Sequence, residues 1–141
     1  MILTALALTS AAVFTGAAAY INWSEQPARL TLDDAALLRE WKLSYAKGAQ
    51  MQAPLALFSG LFALGAFFFN GDAFALPGGV LMLMNWPYTL LAINPINKRL
   101  GAMGDGADPR PLIEKWGTLH SLRTLLGVLA VLVFLFASAG P

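Results

Sequence analysis

The chain has no cysteine, a single histidine and few charges, with only 12% of its 141 residues Asp, Glu, Lys or Arg. Without cysteine there are no disulfides, no thiolate metal ligands and no cysteine nucleophile. One histidine is too few for a zinc or iron centre, which draws on several such ligands, so no metal site is expected. Nine basic and eight acidic side chains leave a formal net charge of +1. That balance sets up no field to attract nucleic acid, and no nucleic-acid partner is expected. The charge is also too sparse to clothe a water-soluble domain of this size.

What fills the chain is apolar: 57% of the residues are hydrophobic, with a mean hydropathy of +0.62. Four runs, at residues 2–21, 52–69, 74–93 and 117–138, approach the roughly 20 helical residues that cross a bilayer. These runs predict an all-α, four-helix transmembrane bundle that forms one integral membrane domain over residues 1–141, with lipid as its solvent. The length leaves no room for a separate catalytic module. In the first run, Ala17-Ala18-Ala19 resembles a signal-peptidase site. The basic segment that precedes such a site is missing, so the run is read as a retained helix.

The basic residues suggest an orientation. Arg29, Arg39, Lys42 and Lys47 lie between the first two runs, and Lys98, Arg99, Arg110 and Lys115 between the last two. Residues 70–73 and both ends carry none. The positive-inside rule then predicts loops one and three in the cytoplasm and both termini outside, as in a bacterial inner-membrane protein.

Local signals refine the helices. Thr31, followed by Asp33 and Asp34, reads as a helix start after Pro27. The amphipathic stretch 32–47 makes the first loop partly helical. Whether it runs into the second transmembrane helix depends on Gly48 and Pro54. Asn70-Gly71 predicts a tight turn. Pro87 predicts a kink, and Asn94-Pro95 an end to the third helix. Asp108-Pro109 predicts the start of the fourth.

Polar groups that hydrocarbon penalises are the informative ones in such a chain. Trp116, His120, Arg123 and Gly127 recur at i, i+4, i+7 and i+11, so they share a helix face that should point into the bundle. At the same end lie Asn22, Glu25, Gln50, Gln52, Asn94 and Asn97, with Trp23, Trp41, Tyr45, Tyr88 and Trp116 as candidate aromatic walls. Together they outline a binding pocket at the end of a bundle. Each also has an ordinary reading. Arg123 can snorkel to headgroups, His120 can be a hydrogen-bonded structural group, and the aromatics can anchor the interface. Asn94 and Asn97 can cap a helix end, and Glu25 can pair with a loop arginine.

Four segments carry a family resemblance: Asn22-Trp23; Gln52-Ala53-Pro54-Leu55; Asn94-Pro95-Ile96-Asn97-Lys98-Arg99-Leu100; and Trp116, His120 and Arg123-Thr124 at their spacing. In these the chain resembles the anthrone oxygenase family of small four-helix membrane proteins. The resemblance implies oxidation of an anthrone to an anthraquinone by molecular oxygen, with no cofactor. It implies a flat aromatic substrate, and a base and an enolate clamp among His120, Arg123, Asn94 and Asn97. Asn22, Trp23, Tyr45, Gln52, Tyr88 and Trp116 are then the substrate-binding set. His120 suits a base because its unperturbed pKa lies near neutrality. Arg123 with Asn94 or Asn97 suits an oxyanion, a role that strengthens in low dielectric.

Two non-enzymatic readings remain open at this point. One is an accessory subunit of a larger membrane complex or a homo-oligomer. The other is a module that binds lipid or a quinone-like ligand. A small transporter fits less well, because the chain shows no internal repeat and no acidic residue within its spans.

Overall fold

The computed structural model describes residues 1–138, so the last three residues of the expected 1–141 domain lie outside the described residues. Those described form four long helices: α1 (Ile2–Arg29), α2 (Asp34–Asn70), α3 (Ala75–Ala102) and α4 (Arg110–Ser138), each long and apolar enough to cross a membrane. They pack in cyclic order, each against the next and α4 back against α1. This is the four-helix membrane bundle that the runs predict.

The helix ends differ from the sequence expectation in instructive ways. The start of α2 is capped by Asp33, not Thr31; its Oδ1 accepts the Ala36 N–H at 2.9 Å. From there α2 runs unbroken for 37 residues through Gly48 and Pro54, so the amphipathic stretch and the second transmembrane run are one helix. The far end turns at Gly71, whose φ of 70° is the left-handed conformation that glycine adopts without strain. The Asp72 N–H reaches back to Ala66 O, which closes a Schellman-type cap.

Two other expected ends do not hold. The first helix continues past Ile21, where its apolar run ends, to Arg29, and the third continues through Asn94-Pro95 to Ala102. The same device operates in both. A π-helical turn, Ile21–Glu25 in α1 and Thr89–Ile93 in α3, is followed directly by Gln26-Pro27 or Asn94-Pro95. In each, the residue before the proline donates its N–H five residues back: Gln26 to Ile21 O, and Asn94 to Thr89 O. The wider turn makes room for the proline ring, which would clash in a regular α-helix.

The bundle has two interior halves. Away from the charged loops, Ala7, Ala11, Phe14, Ala63, Ala66, Ala75, Met82 and Phe134 are buried together. Toward those loops, the buried cluster is Leu37, Trp41, Ile93, Leu100, Ile113 and Trp116 with their neighbours. Large apolar side chains such as Phe58, Leu61, Phe68, Leu125 and Leu132 face outward, where lipid would meet them.

Candidate functional site

The face of α4 predicted to turn inward does so. Trp116, His120 and Gly127 are buried, and Arg123 is half-buried among them. His120 Nδ1 lies 3.0 Å from Asn22 Oδ1 on α1. The Asn22 amide is oriented by its other bonds. Its Nδ2 donates to Gly117 O at 3.1 Å and to Ser121 Oγ at 3.0 Å, while its Oδ1 accepts from Thr124 Oγ1 at 2.7 Å. A backbone carbonyl only accepts, so Asn22 Oδ1 must be the atom facing the ring. In the neutral imidazole Nδ1 therefore carries the hydrogen and Nε2 the lone pair.

From His120 an aromatic and amide chain crosses the bundle. Trp116 stacks on the imidazole at 4.9 Å. Its Nε1 donates to Asn97 Oδ1 at 2.9 Å, and Asn97 Nδ2 donates to the Tyr45 hydroxyl at 3.0 Å. Tyr45 stacks on Trp41 at 4.9 Å, and Trp41 meets Trp116 edge-on at 5.9 Å. Every polar atom of the Asn97 side chain is thus engaged by another site residue, which locks its rotamer.

Beside this chain a cleft of about 190 Å³ opens between α2 and α3, with α4 as its floor. Ala49, Ala53 and Ala56, spaced i, i+4 and i+7, form a smooth wall on α2. Asn85, Thr89, Ile93, Asn94 and Asn97 line the α3 side, and Trp116 and Arg123 the floor. The mouth is lateral: Trp86 is 41% and Leu90 57% exposed, on the surface that apolar side chains dominate. Three cleft-lining groups hold a buried polar atom without a partner among the described residues: Arg123 Nε, Asn85 Oδ1 and Thr89 Oγ1. Buried polar atoms are nearly always paired, so these three unpaired ones set the cleft residues apart from most of the bundle interior, as they do Gln26, Trp41 and Gln52 elsewhere. The Arg123 guanidinium also lies over the Phe14 ring at 5.3 Å, a position from which it cannot simply snorkel to the headgroups.

The sequence candidates divide on this geometry. Tyr45, Asn94, Asn97, Trp116 and Arg123 meet at the cleft. His120 and Asn22 sit behind Trp116, joined to the cleft through it. Gln52 is buried, but it faces a groove between α1 and α2. Tyr88 is a tie between helices, its hydroxyl donating to Leu119 O at 2.8 Å. Trp23 is not brought to the site: it is 88% exposed and points away from the bundle. It lies within the π turn Ile21–Glu25, and being at the same end of the bundle as the other candidates does not decide which way it faces. Gln50 is exposed as well.

Sequence reading missed Asn85 and Thr89, which lie in an apolar run read only for its proline. The penalty for polar groups in hydrocarbon, which singled out His120 and Arg123, applies equally to Asn85. It also missed Arg29, counted as a loop charge. The Arg29 side chain is 1% exposed, paired with Glu25 and, at 2.9 Å, with Glu40. It donates to Ser44 Oγ at 3.0 Å and lies over the Trp116 ring at 5.5 Å. Glu25 thus pairs with a loop arginine as expected, but the arginine is buried and not on a wet surface, while Glu25 and Glu40 stay partly exposed. Gln26, also unremarked, is buried and donates to Ile113 O at 2.9 Å, which fastens α1 to α4.

The fold and site define a class: a small four-helix integral membrane bundle with a polar-floored cleft that opens sideways. Within that class, the family model described as anthrone oxygenase matches residues 41–133, and the chain belongs to the anthrone oxygenase family. No curated protein and no solved structure matches it. The matched segment begins at Trp41 and holds the whole cleft lining, while Asn22, Gln26 and Arg29 on α1 precede it.

Proposed function

We propose that the protein is a membrane oxygenase that converts the acidic CH2 of a flat hydroxyaromatic ketone to a carbonyl, using molecular oxygen and no resident cofactor. The substrate enters from the bilayer between α2 and α3. The observation that carries this reading is the cleft lining itself, in which Arg123, Asn85, Thr89, Asn94 and Asn97 interrupt a wall of alanines. Arg123, Asn85 and Thr89 each also hold a buried polar atom with no partner among the described residues. The cleft volume of about 190 Å³ is below the roughly 300–1,000 Å³ typical of drug-sized ligands, so it suits a compact ring system whose far edge stays in the mouth.

In this reading Arg123 holds the substrate oxygen and stabilises the enolate that forms when the CH2 loses a proton. Thr89, Asn85 and Asn94 orient the remaining hydroxyl and carbonyl groups. His120 Nε2 is the base, with Asn22 holding its tautomer as the carboxylate does in better-known catalytic histidines. Contact between substrate and Nε2 requires Trp116 to turn off the imidazole. The enolate then gives one electron to oxygen, the radical pair joins as a peroxide, and the peroxide collapses to the carbonyl. The sum is CH2 + O2 → C=O + H2O. The basic loops are assigned to the cytoplasmic face of a bacterial inner membrane and both termini to the other side, on the charge asymmetry alone.

The test is oxygen uptake with an anthrone substrate by the purified protein in lipid. Arg123→Ala should lower kcat about 10²–10³-fold, the usual effect of removing one oxyanion donor. His120→Ala should lower it by a similar factor, with the fold intact by thermal melting. Full activity in both folded variants would overturn the assignment. A flat molecule that binds the cleft with no oxygen uptake would establish a binding module instead.

A further inference from the structure

Collapse of a peroxide to a carbonyl moves two protons besides the one that His120 takes. The outer peroxide oxygen must be protonated, and the hydrogen left on the carbon must be removed as the O–O bond breaks. His120 already holds a proton by then, so a second group has to handle both. We propose that this group is the Tyr45 hydroxyl, acting first as an acid and then, as the phenolate, as a base. The assignment rests on the oxygenase reading of the same cleft, whereas the hydrogen-bond pattern that singles out Tyr45 does not.

That pattern follows from which atoms can donate and which can accept. The indole Nε1–H of Trp116 can only donate, and it meets Asn97 Oδ1 at 2.9 Å. The Asn97 amide is thereby fixed, and its Nδ2, also only a donor, faces the Tyr45 hydroxyl at 3.0 Å. Tyr45 therefore accepts at its oxygen, and its own hydrogen has no acceptor among the described residues. The other tyrosines differ. Tyr88 gives its hydrogen to Leu119 O at 2.8 Å, and Tyr20 is 62% exposed and lines no part of the cleft. The Tyr45 ring is held in place, stacked on Trp41 at 4.9 Å with the planes 1° apart. Tyr45, Asn97, Trp116 and Arg123 all line the cleft. A hydroxyl hydrogen turns about its C–O bond to suit an acceptor, so this one can be offered to an oxygen bound there. Arg123 also places a cation in the space where the phenolate forms.

The steps balance. His120 takes the first proton from the CH2, and the enolate and oxygen join as C–O–O⁻. Tyr45 gives its hydrogen to the outer oxygen, which leaves C–O–OH and a phenolate. An alkyl peroxide anion is a stronger base than a phenolate, so this transfer runs downhill. The phenolate removes the remaining C–H proton, the electron pair of that bond becomes the second bond of C=O, and the O–O bond breaks to release hydroxide. Hydroxide takes the proton held by His120 and leaves as water. The carbon is oxidised, oxygen is reduced, and no further reductant is needed. Both side chains end as they began.

The test separates removal of the first proton from collapse of the peroxide, with anthrone as the probe and the protein in lipid nanodiscs. Without oxygen, exchange of the CH2 hydrogens for deuterium above the buffer rate reads the first step. With oxygen, ketone formation reads the whole. Tyr45→Phe removes the hydroxyl and keeps the ring on Trp41. O-Methyltyrosine installed at position 45 by stop-codon suppression keeps the oxygen that accepts from Asn97 and lacks only the hydrogen. Thermal melting checks that both are folded. In both, exchange should stay at its original rate while ketone formation falls about 10²–10⁴-fold, the usual weight of a positioned acid or base. Oxygen uptake should then run ahead of ketone in a single turnover, and a phosphine added at that point should reduce the stored peroxide to the alcohol. Unchanged ketone formation in either folded variant overturns the role. Equal falls in exchange and ketone formation would make Tyr45 a support for Asn97 and not an acid. A split seen with Tyr45→Phe but not with O-methyltyrosine would trace the effect to the acceptor lost by Asn97, and the acid role would fall. If the unaltered protein neither exchanges the CH2 hydrogens nor takes up oxygen, the oxygenase reading itself fails and this assignment goes with it.

Discussion

In the half of the bundle remote from the charged loops, helices meet through alanine and glycine, whereas the half beneath those loops buries tryptophan, arginine, histidine and asparagine. The first arrangement follows from the solvent. Lipid is as apolar as leucine, so helices gain little by hiding apolar side chains from it. Close backbone approach and dispersion must do the work instead. Gly79 illustrates this, since an added Cβ would lie 2.7 Å from the Ala63 Cβ. Ser59 Oγ, donating to Ala7 O at 2.8 Å, adds one of the few polar ties of that half. In the second half, polar groups hold the helices together in pairs and chains: Asn22 with α4, Gln26 with Ile113, Asn97 with Tyr45 and Trp116. The contrast separates two jobs. The small-residue half is a clamp with few polar groups. The polar half ties the helices together while still holding buried atoms without a partner among the described residues, both on the cleft residues Asn85, Thr89 and Arg123 and away from it on Gln26, Trp41 and Gln52.

The comparison can be broken most sharply at Arg29. Its two carboxylate partners are partly exposed, while the arginine itself is not. Glu25→Gln with Glu40→Gln leaves a buried cation without counter-charge, which should cost about 3–5 kcal/mol in unfolding free energy. Arg29→Met removes the cation and leaves two carboxylates that water can reach, so it should cost well under half of that. Equal losses in denaturant titrations of the two proteins would mean that Arg29 is not buried as described. In the other half, Gly79→Leu should lose about 1–3 kcal/mol through overpacking against Ala63. That loss should leave oxygen uptake per folded molecule unchanged, because Gly79 does not line the cleft.

The halves were not equally readable in the sequence. Four apolar runs were enough for the bundle, because hydrocarbon demands length and apolarity before anything else. The inward face of α4 was readable too, as Trp116, His120, Arg123 and Gly127 sit on a regular α-helix with no proline among them. What failed lies at Pro27 and Pro95. Asn94-Pro95 reads as a helix end and the first apolar run ends at Ile21, ahead of Pro27, yet in both places the helix widens by one residue and continues. Residues within and beyond a π turn are rotated relative to the 3.6-residue period, so the period that serves on α4 gives no guide to facing there. The same two turns deliver Asn22 to His120 and Thr89 to the cleft. The segments hardest to read are thus those that build the site, as expected where function bends a local rule.

A smaller effect tests the chain of groups that crosses the polar half. Trp116→Phe keeps the ring against His120 but removes the donor to Asn97 Oδ1. One buried acceptor then lacks a partner, at a cost of about 1–3 kcal/mol. Asn97 is then free to rotate away from Tyr45, so KM for the substrate should rise more than thermal stability falls. A stability loss with KM unchanged would show that Asn97 serves packing and not the cleft.

The smallest effect is expected at Trp23, and it separates two accounts of the aromatic residues. Sequence position groups Trp23 with the pocket walls, whereas the structure turns it outward at the level of the charged loops, where tryptophan anchors a helix at the headgroups. If the π turn sets its direction as described, Trp23→Ala should change unfolding free energy by no more than about 0.5 kcal/mol, as for other surface positions. Turnover and substrate affinity in nanodiscs should stay at their original values. Only partition between lipid and detergent, or fluorescence quenching by headgroup-labelled lipid, should register the loss. A clear rise in KM would place Trp23 against the substrate. The first π turn would then have to unwind in the working protein, and Asn22, carried on the same turn, would lose its hold on His120.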